Sequence, residues 1–283
     1  MKILSIQSAV AYGHVGNSAA VFPLQRLGHE VWPVNTVLFS NHTGYGAWRG
    51  PVVAADDVHE VILGIEDRGG LAEVDVVLSG YQGSAAISEV ILDAVQRVRA
   101  ANPNATYTAD PVMGNAKSGC FVDPAIPPLL RSAVAPAADL ITPNQFELGY
   151  LTETQPDDLD STLASVDAAF DMGPSAVLVT SVFRPDREPD TLEMLFADKS
   201  GAWLVQTPHL STKRSGSGDV TAALFTAHYR GGASPAEALE KTASSVFDLL
   251  QDTESKGSTE LLLVENQEVY AHPRPQFTAE QVR

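Results

Sequence analysis

Four short stretches of the chain carry residue types able to handle phosphate chemistry. The first is GSGD at residues 216–219, where glycines at 216 and 218 precede and flank an approach to Asp219 as an apolar-periodic segment opens. Gly216 and Gly218 let the backbone turn sharply, so the amides of Gly216, Ser217 and Gly218 at a helix start can point at one spot. Such a spot attracts anions and is strengthened by the helix dipole, and it would stabilise negative charge that develops in a reaction. Asp219 in the first helical turn has two readings. A carboxylate favours a helix N-terminus for structural reasons alone. The same dipole would keep it ionised near neutral pH, able to take a proton from a substrate hydroxyl beside the phosphate being transferred. Lys213 and Arg214, the only adjacent basic pair in the chain, come just before and either draw in a polyphosphate or lie solvated at the surface.

The second stretch is ADPVMG at residues 109–114. Pro111 biases Asp110 toward an extended conformation, so its carboxylate should end a strand and face a crevice. There it suits Mg²⁺ or its water shell, because Mg²⁺ is commonly held by one or two carboxylates plus substrate phosphates; alternatively it opens an Asx-type turn. The third is ITPNQFEL at 141–148, with Asn144 and Glu147 three apart on one helical face. That spacing makes a capping box, and the pair could also orient metal-bound water around nucleotide phosphates. The fourth is the loop GNAKSGCFVDP at 114–124, whose glycines and small polar residues suit a water-excluding lid. It holds the single cysteine, Cys120, either a small buried hydrophobe or a thiol that adds reversibly to an aldehyde substrate.

These stretches must be positioned by a scaffold. Short β-branched runs at residues 2–7, 31–37, 74–80, 105–110, 139–144 and 176–181 alternate with segments of helical period, as at 87–102. Alternation of this kind predicts an α/β fold, a mainly parallel sheet with helices on both faces. TLEMLFAD and GAWLVQTP, joined by Lys199 and Ser200, predict an antiparallel hairpin near one sheet edge. Two helices follow, over about 218–229 and 235–250, and Gly13 and Gly16 shape a loop before a helix capped near Asn17. No repeat or Gly/Pro-rich linker divides the chain, so residues 1–283 are expected to form one domain. In such sheets ligands bind beyond the carboxyl ends of the strands. Ser8, Tyr81, Asp110, Asn144, Thr180 and Ser181 all fall at or just past those ends, although strand ends are also polar simply because loops are wet.

Composition narrows the field. A formal charge of −17 and a pI near 4.6 argue against general affinity for nucleic acid or anionic lipid. One cysteine excludes an internal disulfide, and seven scattered histidines give no zinc-site spacing. The N-terminal run is broken early by Gln7, Ser8, Tyr12 and His14, no run approaches the length of a membrane span, and a cytoplasmic protein is expected. G-x-x-x-x-G-K-[ST] is absent, and the loop after the first strand lacks G-x-G-x-x-G.

Taken in order, SGY at 79–81, ADPVMG, ADLITPNQFEL, AVLVTS at 176–181 and GSGD resemble the pyridoxal kinases of the ribokinase superfamily. The N-terminal stretch from Ser5 to Trp48 is similar to the same branch, so the resemblance covers nearly the whole chain. It implies a three-layer αβα sandwich. It implies Asp219 as base for the 5′-hydroxymethyl group of pyridoxal and the amides of Gly216, Ser217 and Gly218 as the γ-phosphate anion hole. Asp110, Asn144 and Glu147 would organise Mg²⁺ and water around ATP, with Asp110 and Glu147 as the metal carboxylates. Thr180, Ser181 and Lys213 would lie on the ATP side, and Ser8, Thr43 and Tyr81 would bound the pyridoxal ring with His42 and Cys120 nearby. A homodimer is implied, and a monovalent-cation requirement is left open. Two competing readings are a hydroxymethylpyrimidine kinase, sharing the ATP side but differing at Ser8, Thr43 and Tyr81, and a non-catalytic binder of pyridoxal phosphate or nucleotide.

Overall fold

Residues 1–185, 188, 190–210 and 214–283 are described by a computed structural model of the chain. Strands β1 (Lys2–Val10), β2 (Glu30–Phe39), β3 (Val76–Ser79) and β4 (Thr106–Ala109) come first. A two-residue pair, β5 (Gly114–Asn115) and β6 (Gly119–Cys120), precedes β7 (Leu140–Ile141), β8 (Ala176–Val182), β9 (Thr191–Asp198), β10 (Gly201–Pro208) and β11 (Glu280–Gln281). The main sheet runs β11-β10-β9-β8-β7-β4-β3-β1-β2. From β2 to β8 every neighbour is parallel, while β8-β9, β9-β10 and β10-β11 are antiparallel. The hairpin thus lies where its turn placed it, and β11, unforeseen because it is two residues long, adds the last edge.

Parallel strands covered on both faces read as continuous apolar runs, and side-chain alternation divides them between two layers. Leu4 and Ile6 of β1, Val77 of β3 and Val177 and Val179 of β8 enter one core. Ile3, Val76 and Leu78 enter another, and Ala176 and Leu178 a third, on the opposite face. The first face is covered by helices α2 (Ala55–Glu66), α3 (Ala86–Ala101), α4 (Ile126–Leu129) and α5 (Ala135–Ala137), then α6 (Gln145–Thr152) and α7 (Leu159–Met172). A π turn over Leu130–Val134 joins α4 to α5. Pro127, Pro128 and Pro136 hide this helix from a periodicity reading, yet each falls at a helix start where a missing N–H is tolerated. The second face carries α1 (Asn17–Arg26), α8 (Ser217–Arg230), α9 (Pro235–Ser255) and α10 (Gln267–Ala271).

The start of α1 falls next to Asn17 as expected, with Gly16, at φ 52°, rather than Asn17 itself as the cap. Asn17 is instead buried, donating through Nδ2 to Val34 O and Asn35 Oδ1 and accepting from Ser5 Oγ, and so ties α1 to β1 and β2. Among the described residues no helix is long and apolar enough to cross a membrane.

Candidate active site

A cavity of about 700 Å³ opens at the carboxyl ends of the parallel strands. Ser8 comes from β1, Tyr81 follows β3, Asp110 follows β4, Thr142 and Asn144 follow β7, Thr180 lies on β8, and residues 214–219 open α8. The expected Ser8, His42, Thr43, Tyr81, Asp110, Asn144, Glu147, Thr180, Gly216, Ser217, Gly218 and Asp219 all line this one space. Ser181 does not. It is exposed with φ 53°, at the register shift between β8 and β9. Cys120 does not line it either: it is exposed on β6, which sets aside the buried-hydrophobe reading, while Ser118 and Phe121 beside it do. Lys213 lies outside the described residues.

α8 begins as the glycines require. Gly216 caps it with φ 88°, a left-handed conformation that penalises any side chain, and a Cβ there would sit 1.8 Å from His14 O. A Cβ on Gly218 would meet nothing within 4 Å, so that position faces open cavity. Asp219 opens onto the cavity and its pKa is pushed up to about 6 by burial, against hydrogen bonds from the N–H groups of Gly16 and of Asp219 itself. The dipole argument alone expected an unopposed preference for the ionised form; lost hydration outweighs it. At pH 7 the carboxylate is still mostly ionised.

Glu147 is almost fully buried and closely held. Its Oε1 accepts from the N–H groups of Met113 (2.9 Å) and Gly114 (3.2 Å), and its Oε2 accepts from Asn144 N–H (2.9 Å). Asn144 Oδ1 in turn accepts from Glu147 N–H, completing the capping box of α6, and Asn144 Nδ2 donates to Gly114 O. The helix cap therefore also fixes the base of the loop at 114–124. Burial raises Glu147 to about 7 in spite of those three donors, and the charge on Asp219 adds to the rise. Asp110 accepts from Thr142 Oγ1 at 3.0 Å, and its pKa is driven well above the usual range by burial and then by the charges of Glu147 and Asp219. Among the described residues no group of three or more His, Cys, Asp or Glu side chains forms a ready-made metal cage. A pair of crowded carboxylates is nonetheless the protein contribution Mg²⁺ ordinarily needs, the rest coming from water and phosphate oxygens. The surplus negative charge shown by Asp110 fits such a cation.

The opposite wall is apolar and aromatic: Val10, Val37, Phe39, Trp48 and Phe121 beside Tyr81. Burial, then the charge of Asp123 in the loop, raises the Tyr81 pKa, which sets that loop against the ring. Arg214, one of the basic pair, also lines the cavity, whereas Thr142, Phe39 and Trp48 escaped the sequence reading. Thr142 follows a strand in the manner of the others and could have been found, whereas Phe39 and Trp48 carry no local signal because the fold brings them in from the β2 edge.

The family model described as phosphomethylpyrimidine kinase matches residues 72–261. The chain is 69% identical over 282 residues to a pyridoxal kinase PdxY of Leifsonia xyli subsp. xyli, and 61% identical to one of Corynebacterium diphtheriae, covering 100% of both chains in each case. Among solved structures it is similar to the pyridoxal kinase from Leishmania donovani in complex with ADP and pyridoxine, with a TM-score of 0.93 and 27% identity, covering 100% of this chain and 99% of that one.

Proposed function

We infer that this chain, which belongs to the pyridoxal kinase family, transfers the γ-phosphoryl group of ATP to the 5′-hydroxymethyl group of pyridoxal through Asp219 and the start of α8. The observation that carries this reading is the meeting of an ionisable, partly buried carboxylate with a glycine-built helix N-terminus in one cavity. Phosphoryl transfer demands alignment and charge stabilisation more than covalent chemistry. Asp219 takes the hydroxyl proton, and the amides of Gly216, Ser217 and Gly218 receive the phosphate oxygens. Asp110 and Glu147 are the residues that would hold Mg²⁺ with its water shell, and the ion would supply charge neutralisation on the phosphates. Asn144 orients Glu147, and Thr180 serves the nucleotide side of the cavity. Ser8, His42, Thr43 and Tyr81 bound the pyridine ring.

Cys120 requires a turn of the β5-β6 hairpin to bring its thiol to an aldehyde. A Cys120→Ser variant whose preference for pyridoxal over pyridoxine is unchanged removes it from the site. We also place the enzyme in the cytoplasm as one domain of residues 1–283 that forms a homodimer. Leu38, Trp48 and Val52, left exposed around the β2 edge, support the dimer.

The test is product formation from pyridoxal and Mg-ATP by wild type and Asp219→Asn. Turnover by wild type with a fall of about 10²–10⁴ in the variant supports the assignment. Wild-type activity on hydroxymethylpyrimidine alone keeps the phosphotransferase and overturns the substrate. Pyridoxal binding without turnover of either alcohol overturns the enzyme reading.

A further inference from the structure

Glu260 belongs to none of the motifs read from the sequence and does not line the cavity, yet its carboxylate meets two chain segments around the site. The carboxylate is nearly covered, at 12% side-chain exposure. Its Oε1 accepts from Tyr45 OH at 2.6 Å and lies 3.5 Å from His42 Nε2. Its Oε2 accepts from the His14 N–H at 3.1 Å. It approaches Gly13 so closely that a Cβ there would stand 2.2 Å from Oε2, and Gly13 has φ 89°. Glycine at 13 is thus required twice, for its conformation and for the carboxylate beside it. The other side of Glu260 is anchored: Leu261 is buried in a core it shares with Val220 and Leu224 of α8.

Two routes lead from this carboxylate to the start of α8. Through Oε1 it faces His42, whose Nδ1 lies 3.4 Å from Ser215 Oγ, and Ser215 is joined directly to Gly216. Through Oε2 it holds the amide of His14, whose carbonyl oxygen presses against Gly216 so tightly that a Cβ could not fit. The first route starts on the substrate wall itself, since His42 and Thr43 line the cavity.

We propose that Glu260 is a positioning residue for phosphoryl transfer, its carboxylate fixing the loop of His42 and Thr43 and the loop of Gly13 and His14 in register with the amides of residues 216–218. The proposal rests on the reading of those amides as the anion hole and of His42 and Thr43 as part of the ring pocket. A carboxylate close to a phosphate site is otherwise unfavourable, and the donors from Tyr45 and His14 satisfy its two oxygens there. A glutamine of the same shape keeps the His14 N–H only by turning its NH₂ to the Tyr45 hydroxyl and His42, where the carboxylate oxygen accepts, so the link toward His42 changes its hydrogen-bond polarity. Alignment matters steeply in such a reaction, as a displacement of about 1 Å can cost about 10²-fold in rate.

The experiment measures kcat, the KM for pyridoxal, the KM for Mg-ATP and the melting temperature for wild type, Glu260→Gln and Tyr45→Phe, with Asp219→Asn as the control on the underlying reading. Glu260→Gln is expected to lower kcat about 10- to 100-fold and raise the KM for pyridoxal, leaving the KM for Mg-ATP within about twofold. Tyr45→Phe, which removes one of the two donors to that carboxylate and leaves the His14 link in place, is expected to lower kcat in the same direction but by less than Glu260→Gln. A loss of kcat that follows the melting temperature with both KM values unchanged shows a merely structural role and overturns the proposal. Should Glu260→Gln melt early, Glu260→Asp, which keeps the charge at shorter reach, carries the same comparison. Wild-type kinetics in Glu260→Gln beside an inactive Asp219→Asn defeats the positioning role and leaves the site intact. A wild type that phosphorylates no pyridoxal defeats the underlying reading, and this proposal with it.

Discussion

At Asp219 two familiar effects oppose one another. The helix terminus and two backbone N–H groups favour its charge, burial disfavours it, and burial prevails to leave the pKa at about 6. A base must be unprotonated to act, so kcat/KM should fall below about pH 6 with a slope of one proton, and a pH–rate profile measured with Mg-ATP in excess checks this. A profile flat from pH 5 to 8 would set Asp219 aside as the base. The sequence made the residue conspicuous, since an aspartate after Gly-Ser-Gly is placed at a helix start by local chemistry alone. It could not give the sign of the pKa shift. That depends on burial, which only the fold brings about. Glu147 shows the converse: its capping box was plain in the spacing from Asn144, and the structure adds that the same oxygens accept from Met113 and Gly114. Glu147→Gln should therefore cost activity and stability together. Replacing an acceptor by an NH₂ group sets a donor against one or more of three backbone N–H groups, a loss on the order of 1–3 kcal/mol readable by thermal or denaturant unfolding.

Elements rather than residues decide where the anion hole sits. The loop at residues 214–216 feeds α8 through one left-handed residue, Gly216, against the carbonyl of His14. Gly216→Ala must relieve a 1.8 Å contact with backbone as well as adopt φ 88°, so the helix start has to move. The expected result is a loss of kcat of about 10²-fold or more, with a melting temperature lowered by only a few degrees, since one strained residue costs roughly 1–3 kcal/mol. Gly218→Ala is the comparison, because a Cβ there meets nothing within 4 Å of protein, and its cost should appear only when phosphate occupies the cavity. Helices and strands of ordinary length were legible because periods of 3.6 and 2 survive in the sequence, and α8, α9 and the β9-β10 hairpin lie close to where those periods put them. What stayed hidden was pairing between distant segments. β11, the buried role of Asn17 and the link from Glu260 to His14 are contacts whose partners lie far apart in the chain, and no local pattern encodes them.

Across the whole molecule, the acidic character of the chain converges on the cavity floor. Asp110, Glu147 and Asp219 all have pKa values raised on folding, so the native state binds protons more tightly there than the unfolded chain does. The sign follows from linkage. Such groups destabilise the unliganded protein when ionised, the cost being complete above their folded values and disappearing as pH falls toward the ordinary carboxylate range. His228, lowered to about 4 by burial, and His29, lowered by burial and the N-terminal charge, oppose this trend on acidification below about pH 6.5. The informative quantity is therefore a difference between two proteins that share both histidines. Asp110→Asn keeps an oxygen for the Thr142 hydroxyl and removes one of three crowded charges. Without ligand it should melt above wild type at pH 8, by about 2–4 °C for each kcal/mol relieved, and the gap should shrink as pH falls and wild-type Asp110 takes up a proton. Scanning calorimetry at the two pH values reads the gap directly. With Mg-ADP present at pH 8 the order should reverse, because wild type gains the binding energy of a cation that the variant holds poorly. A variant no more stable than wild type at pH 8 would mean that the three carboxylates do not repel one another as placed. A variant that is more stable but equally responsive to Mg-ADP would move the metal away from Asp110.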